Sequence, residues 1–302
     1  MKQPLNKANW EVWWRLLRPH TLTASFVPVA VGTALALYKG QVHLPLFLAM
    51  LLASLIIQAA TNMFNEYYDY VRGLDTAESV GIGGTIVRDG VPASNVLYLA
   101  LAFYGVAIIL GLYICAMSSW WLAAVGLACM AVGYLYTGGP YPIAYTPFGE
   151  ILSGLLMGMI IILISFFIQT GSVSLESVLV SVPITVLIGN IMLSNNIRDM
   201  EGDRDSGRHT IPILMGRNNA ITLLALVFTF NYLWLIGLVL LQIITPWSLL
   251  ALGSIPKARQ AVLGFRGKSL AVEMMPAMQA TAQTNTIFGL LLATGLILGY
   301  WF

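Results

Sequence analysis

The sequence predicts an all-α membrane protein: nine transmembrane helices in a single bundle, with two Asp-rich cytoplasmic loops. Three observations predict it. Charge is scarce, at 9% of 302 residues against about 25% in a soluble domain, and mean hydropathy is +0.80. The charges are clustered, leaving long neutral windows between them. Nine of the 13 acidic residues fall in two short stretches, 66–93 and 195–219. A soluble chain of this size could not cover its surface with so little charge, so the soluble classes are excluded.

The windows place the spans. Twenty uncharged residues separate Arg18 from Lys39, and 26 separate Lys39 from Glu66. The gaps are 60 from Asp89 to Glu150, 25 to Glu176 and 21 to Arg198. A gap of 39 follows between Arg217 and Lys257, and no charge follows Glu273. A helix needs about 20 apolar residues to cross the hydrocarbon core. The longest window therefore holds two spans, and spans fall near 20–38, 44–65, 94–115, 119–136, 148–169, 177–194, 220–243, 246–262 and 281–302. The 39-residue window allows one span or two, and the positive-inside bias selects two. Nine spans with a cytoplasmic N-terminus put 14 of the 15 Lys and Arg inside, whereas eight would put ten inside and five outside.

Ahead of the first span, Asn9–Arg18 carries Trp10, Trp13 and Trp14 with Arg15 and Arg18. It reads as an amphipathic interfacial helix and not as a cleavable signal. No linker divides the chain, so residues 1–302 are expected to be one domain in the cell membrane. Topology accounts for the basic residues, and the net charge of +2 points to no nucleic-acid partner. Cys115 and Cys129 lie inside spans, and with no partner motif they suggest neither disulfide nor metal.

The chemistry concentrates in the acidic stretches. In Asn195-Asn196-Ile197-Arg198-Asp199-Met200-Glu201-Gly202-Asp203, a continuing helix would put Asn195, Asp199 and Asp203 on one face. In Asn65-Glu66-Tyr67-Tyr68-Asp69, the Asn and Asp are again four apart, and Gly73 permits a turn returning Asp75 toward them. The centres Asp69 and Asp199 are 130 residues apart, four spans on, a spacing that an old internal duplication would give. Converging carboxylates and amides are hard ligands suited to Mg²⁺, which completes its shell with water and substrate phosphate. Interspersed Arg72, Arg88, Arg198, Arg204 and Arg208 suit a metal-bridged diphosphate better than a bare cation. Solvated charged loops would account for any one of these Asp residues. Two clusters at helix ends are harder to explain so, since each charge at a helix centre costs roughly 2.5–3.5 kcal/mol on insertion scales.

These residues resemble a known family. Asn65-Glu66-x-x-Asp69 with Asp75, and Asn195-x-x-x-Asp199-x-x-x-Asp203, resemble the two signature motifs of the UbiA superfamily of intramembrane prenyltransferases. Arg18-Pro19-His20-Thr21, Tyr67-Tyr68-Asp69-Tyr70 and Tyr136-Thr137-Gly138-Gly139-Pro140 look closest to its menaquinone branch. Glu66 stands where many members carry Asp, and the third acid is Asp75 because Gly73 occupies its more common position. The sequence also lacks a basic residue after Tyr136-Thr137 that some members carry.

The resemblance implies a Mg²⁺-dependent transfer of a polyprenyl group from an allylic diphosphate to an aromatic acid, 1,4-dihydroxy-2-naphthoate, with loss of CO₂. It implies that Asn65, Asp69, Asp75, Asp199 and Asp203 hold the metal, helped by Glu66 and Asn195. Arg72, Arg208 and Arg18 would neutralise the leaving diphosphate, and Tyr67, Tyr68 and Tyr136 would shield an allylic cation. The isoprenoid tail would lie in a lateral opening to the bilayer. His20 is a candidate for orienting the acceptor, although a helix-end histidine is more often structural.

His43 and His209 carry no assigned role. Gly81-x-Gly83-Gly84 with Arg88 is as consistent with a flexible loop as with a phosphate cradle. Gly154 and Gly158 form a small-residue packing pair, and the methionines fill gaps in the bundle. Two other functions remain open on the residues: a prenyltransferase with another acceptor, such as 4-hydroxybenzoate or homogentisate, and a transporter. A transporter should carry charge near the bilayer midplane, whereas here the acids sit at one end.

Overall fold

The computed structural model describes residues 10–75 and 84–302, apart from the side chains of Trp10 and His20. The described residues form helices and no strand, as expected where lipid cannot satisfy backbone groups. Helix α1 (Trp10–Leu17) is the short amphipathic segment read from the sequence. Then come α2 (Thr23–Tyr38), α3 (Leu44–Val71), α4 (Ala93–Met117), α5 (Trp121–Leu135), α6 (Gly149–Thr170) and α7 (Leu175–Asp205). The chain ends with α8 (Arg217–Leu240), α9 (Ile255–Phe265) and α10 (Ala271–Trp301).

Six of these, α3, α4, α6, α7, α8 and α10, are long and apolar enough to cross a membrane, and α2 and α5 are shorter apolar helices. Residues 246–265, which include the expected span 246–262, are helical throughout but change helix type along the way. A 3₁₀ segment, Pro246–Ser254, runs directly into α9, and Pro256, which has no amide to donate, sits in the first turn of α9, where helices tolerate it. The first span also begins late. Arg18 adopts a left-handed backbone, φ 50°, and Pro19–Thr21 form a 3₁₀ turn before α2.

The acidic stretches depart most from expectation. They are helical at their critical residues: α3 runs on through Asn65, Glu66 and Asp69, and α7 through Asn195, Asp199 and Asp203. Asp75 alone among the acidic site residues follows a turn, made by Gly73 at φ 69°. Continuing each ladder is the cheaper course at a membrane edge, because a loop there would leave unpaired backbone polar groups.

Helix α7 is central, with 56% of its membrane window buried against 22% for α4 on the periphery. Val27 and Leu35 of α2, Ile184 and Leu187 of α7, Leu224 of α8 and Phe288 of α10 share the main core. The expected small-residue pair is a backbone contact. Cβ atoms on Gly154 and Gly158 would lie 2.5 Å from the Thr185 carbonyl oxygen and 2.6 Å from its Cα. Close approach of this kind substitutes for hydrophobic drive between helices in lipid. It lets α6 press its acidic N-terminal end, Glu150, against α7.

Candidate active site

The site lies where the last turns of α3 and α7 meet. Arg208, in the turn after α7, donates from Nη1 to Asp203 Oδ1 at 3.0 Å and from Nη2 to Asp69 Oδ1 at 3.2 Å. One guanidinium thus joins carboxylates from the two motifs, 134 positions apart in sequence. The Arg208 backbone amide donates to the Asp203 carbonyl and that of His209 to the Tyr145 carbonyl, each at 2.9 Å. Its guanidinium also lies 5.2 Å from the Tyr145 ring centroid. Burial alone would weaken its charge, but Asp203 and Asp69 more than offset that and raise its pKa. Asp203 keeps Oδ2 buried and without a hydrogen-bond partner among the described residues, an orphaned acceptor that points to an absent cation.

Asp75 returns toward this point. Burial, then the nearby charges of Asp69 and Glu66, raise its pKa to about 6. Asp199 is turned to its neighbour, in a two-point ion pair with Arg198. Arg198 Nη1 in turn contacts the sulfur of Met278. Asn195 and Arg198 line a polar cavity of about 410 Å³ with Arg18, Thr21, Gln283 and Thr286. Asn65 instead lines a second, apolar cavity of about 320 Å³ that reaches along α3 to Met50. Tyr136 borders the apolar cavity and lies within electrostatic reach of Arg208 and Asp203.

Several predicted residues are engaged in holding the site's frame. Glu66 is buried, 1% exposed, and both its oxygens are occupied. Oε2 accepts from Arg18 Nη2 at 3.0 Å, and Oε1 from Gly84 N and Thr85 Oγ1 at 2.8 Å and Ile86 N at 3.3 Å. It therefore anchors the segment re-entering the bundle and secures the strained Arg18. Arg72 donates to the carbonyls of Thr137 and Gly139, closing the turn between α5 and α6. Tyr68 bonds Tyr134 through their hydroxyls, and the Tyr67 ring packs on that of Tyr68. The His20 side chain and the 81–83 glycines lie outside the described residues.

Sequence reasoning missed Tyr145, whose ring underlies both Arg208 and Arg72; no spacing marks it. It also passed over the buried Glu150, which accepts from Asn196 Nδ2 at 2.9 Å. That residue had a readable signal: one charge between neutral windows of 60 and 25 residues.

The donor set fits a hard cation. Among the described residues no three His, Cys, Asp or Glu side chains form a closed metal cage. A few carboxylates open to a phosphate is the usual Mg²⁺ arrangement.

Comparison with known proteins agrees with this geometry. The model of the UbiA prenyltransferase family matches residues 25–267. The 1,4-dihydroxy-2-naphthoate octaprenyltransferase of Bacillus subtilis (strain 168) is 57% identical over 99% of this chain and 96% of its own. The mouse UbiA prenyltransferase domain-containing protein 1 is 30% identical over 93% of this chain and 82% of its own. Among solved structures, a UbiA homolog from Aeropyrum pernix K1 without ligand has a TM-score of 0.69 at 17% identity, covering 93% of this chain and 98% of its own. A homolog from Archaeoglobus fulgidus bound to DMAPP and Mg²⁺ has a TM-score of 0.64 at 16% identity, covering 93% and 98%. With two motif helices meeting at one guanidinium and a family model spanning most of its length, the chain belongs to the UbiA prenyltransferase family.

Proposed function

We propose that this protein transfers a polyprenyl group from an allylic diphosphate to 1,4-dihydroxy-2-naphthoate with loss of CO₂, giving the quinol form of demethylmenaquinone. The observation that carries this reading is Arg208 bridging Asp69 and Asp203 within electrostatic reach of Tyr136, which lines an apolar cavity. A diphosphate needs that mixture of charges, and its hydrocarbon tail needs that cavity. Asp69, Asp75, Asp199 and Asp203, with Asn65, would hold Mg²⁺. When bound, the ion supplies Lewis-acid stabilisation of the departing diphosphate.

The protein's own residues account for the remaining roles. Arg208 is placed to move from carboxylate to phosphate oxygen as charge develops there. The C1–O bond of the donor breaks and the diphosphate leaves with the electron pair. Tyr136 presents an aromatic face to the allylic cation. The polar cavity suits the acceptor: Arg18 and Arg198 match its carboxylate, Asn195, Gln283 and Thr286 its hydroxyls, and Phe26 its ring. A ring carbon attacks the allylic carbon. The electrons of the ring–carboxylate bond then restore the aromatic system as CO₂ departs. Glu66, Arg72 and Tyr68 act by position, holding Arg18, the 137–139 turn and Tyr134.

The helical segment 246–265, a 3₁₀ stretch continuing into α9, completes nine crossings, with the site at the cytoplasmic face of the cell membrane. The positive-inside distribution supports that orientation. The test is purified protein in lipid with Mg²⁺, radiolabelled farnesyl diphosphate and a panel of aromatic acceptors. The expected result is an organic-extractable product with dihydroxynaphthoate and far less with 4-hydroxybenzoate or homogentisate. No product with any acceptor and donor length would reject the reading.

A further inference from the structure

The polar cavity is lined by two guanidiniums, Arg18 and Arg198, and by no acid. The carboxylates that neutralise them, Glu66 and Asp199, do not line it. An anion entering the cavity therefore meets positive charge. It can take a guanidinium only from the carboxylate that already holds it.

The two pairs are not equally firm. Glu66 is locked by Gly84, Thr85 and Ile86 as well as by Arg18, and separating them would leave a buried charge without its counter-ion. Asp199 is 35% exposed, so water can take over its oxygens. Arg198 and Asp199 are neighbours on α7, and their side chains start about 100° apart around the helix. They pair because the long arginine reaches round: Nε donates to Oδ1 at 2.7 Å and Nη2 to Oδ2. At its other edge, Nη1 rests on the thioether sulfurs of Met278 and Met275, and Met278 lines the same cavity. Sulfur is a weak acceptor, so a carboxylate there offers Nη1 a far stronger, charge-assisted bond. Asp199 has the opposite conflict. It lies on the helix face of Asn195 and Asp203, yet a guanidinium spans both its oxygens and would repel a cation brought to them.

We propose that Arg198 changes partner during the reaction: the carboxylate of the aromatic acid draws it from Asp199 into the cavity, and Asp199 is thereby released to the metal set. The inference rests on the prenyltransferase reading and deepens it, because it makes the two substrate sites mutually dependent. Filling either site favours filling the other, by the same factor in both directions. Without the acid the metal set is incomplete, and the donor is not ionised to a cation that water would capture.

The experiment is calorimetry of Mg²⁺ binding to the full chain in lipid, without donor, so that no turnover occurs. Mg²⁺ is titrated with no acceptor, with 1-hydroxy-2-naphthoate, and with 1-naphthol, which lacks the carboxylate; blanks without protein remove direct chelation. The naphthoate should tighten Mg²⁺ at least about fivefold, and naphthol should change it by less than about twofold. Titrating the naphthoate with and without Mg²⁺ should return the same factor. Arg198→Gln, which leaves Asp199 permanently free, should bind Mg²⁺ alone more tightly than wild type, whereas losing a merely structural residue would weaken binding. Arg204→Gln, which removes a charge further along α7 that pairs with Glu201 instead, should give a smaller gain. Saturable naphthoate binding with unchanged Mg²⁺ affinity, or an equal effect of naphthol, would overturn the proposal; both are read on wild type and do not depend on how the variants fold. An Arg198→Gln variant no tighter than wild type, or no tighter than Arg204→Gln, would overturn it too. A wild type that takes up no naphthoate would refute the acceptor reading itself, a result distinct from these.

Discussion

Replacing Arg208 by Gln tests the central contact. The guanidinium is 17% exposed, and its partners Asp69 and Asp203 are 16% and 9% exposed. Removing one member of a buried ionic group costs about 3–5 kcal/mol, because the remaining charges stay desolvated. The residual exposure reduces this, and the uncharged amide of Gln still donates one hydrogen bond, so about 2–3 kcal/mol of destabilisation is expected without metal. That corresponds to a melting point lower by on the order of 3–5 °C for a chain of this size. Added Mg²⁺ should recover much of the loss, since the ion supplies the positive charge that Gln lacks, and ligand linkage converts its binding into stability. The variant should therefore show a larger Mg²⁺-dependent rise in melting temperature than wild type, while its affinity for a non-hydrolysable allylic diphosphate falls. Thermal unfolding in detergent, scanned with and without Mg²⁺, reads both effects. If the variant melts like wild type without metal, or gains no more than wild type from Mg²⁺, then Asp69 and Asp203 do not share one cation site and the reasoning fails.

Other substitutions separate chemistry from framework. Asp203→Asn, which retains shape and loses the orphaned anionic oxygen, should reduce kcat at least about 100-fold with membrane insertion unchanged; activity near wild type would remove Asp203 from the metal set. Glu66→Gln should cost about 2–3 kcal/mol in stability through its charge-assisted bonds, seen as a lower melting point and faster proteolysis near residues 84–91; a variant as stable and protected as wild type would contradict the anchoring role. Asp75, with its pKa raised to about 6, must lose its proton to bind a cation. Below pH 6, then, Mg²⁺ affinity without donor should fall by up to about tenfold per pH unit; calorimetry showing a flat affinity between pH 5 and 7 would exclude it as a ligand.

The resemblance carried the reading from residues to chemistry, but much of the site was legible without it. Asn195, Asp199 and Asp203 recur at helical spacing, and Asn65 and Asp69 repeat it, so each motif's convergence followed from local geometry alone. The stretches 66–93 and 195–219 were read as loops, with helix continuing into them only as a condition of the spacing argument; both helices carry past Asp69 and Asp203. In a membrane edge, backbone satisfaction outweighs side-chain polarity, and both helices run on. Glu66 illustrates a different limit. Its carboxylate looked like a member of the ligand group, and only the segment folding back at Gly84–Ile86 shows that its bonds are already taken.

What the chain's composition and periodicity determined by themselves was the solvent and the architecture. Neutral windows of about 20 residues can only be membrane helices, and acids spaced four apart at their ends can only share a face. Which faces meet is a property of the tertiary structure. Arg208 joins Asp69 to Asp203, Asn195 and Asn65 border different cavities, Tyr145 lies beneath two guanidiniums, and α6 packs on α7 through Gly154 and Gly158. Contacts between residues more than a hundred positions apart depend on how helices rotate and cross. Those choices are set by close packing summed over the whole bundle, which no local spacing encodes.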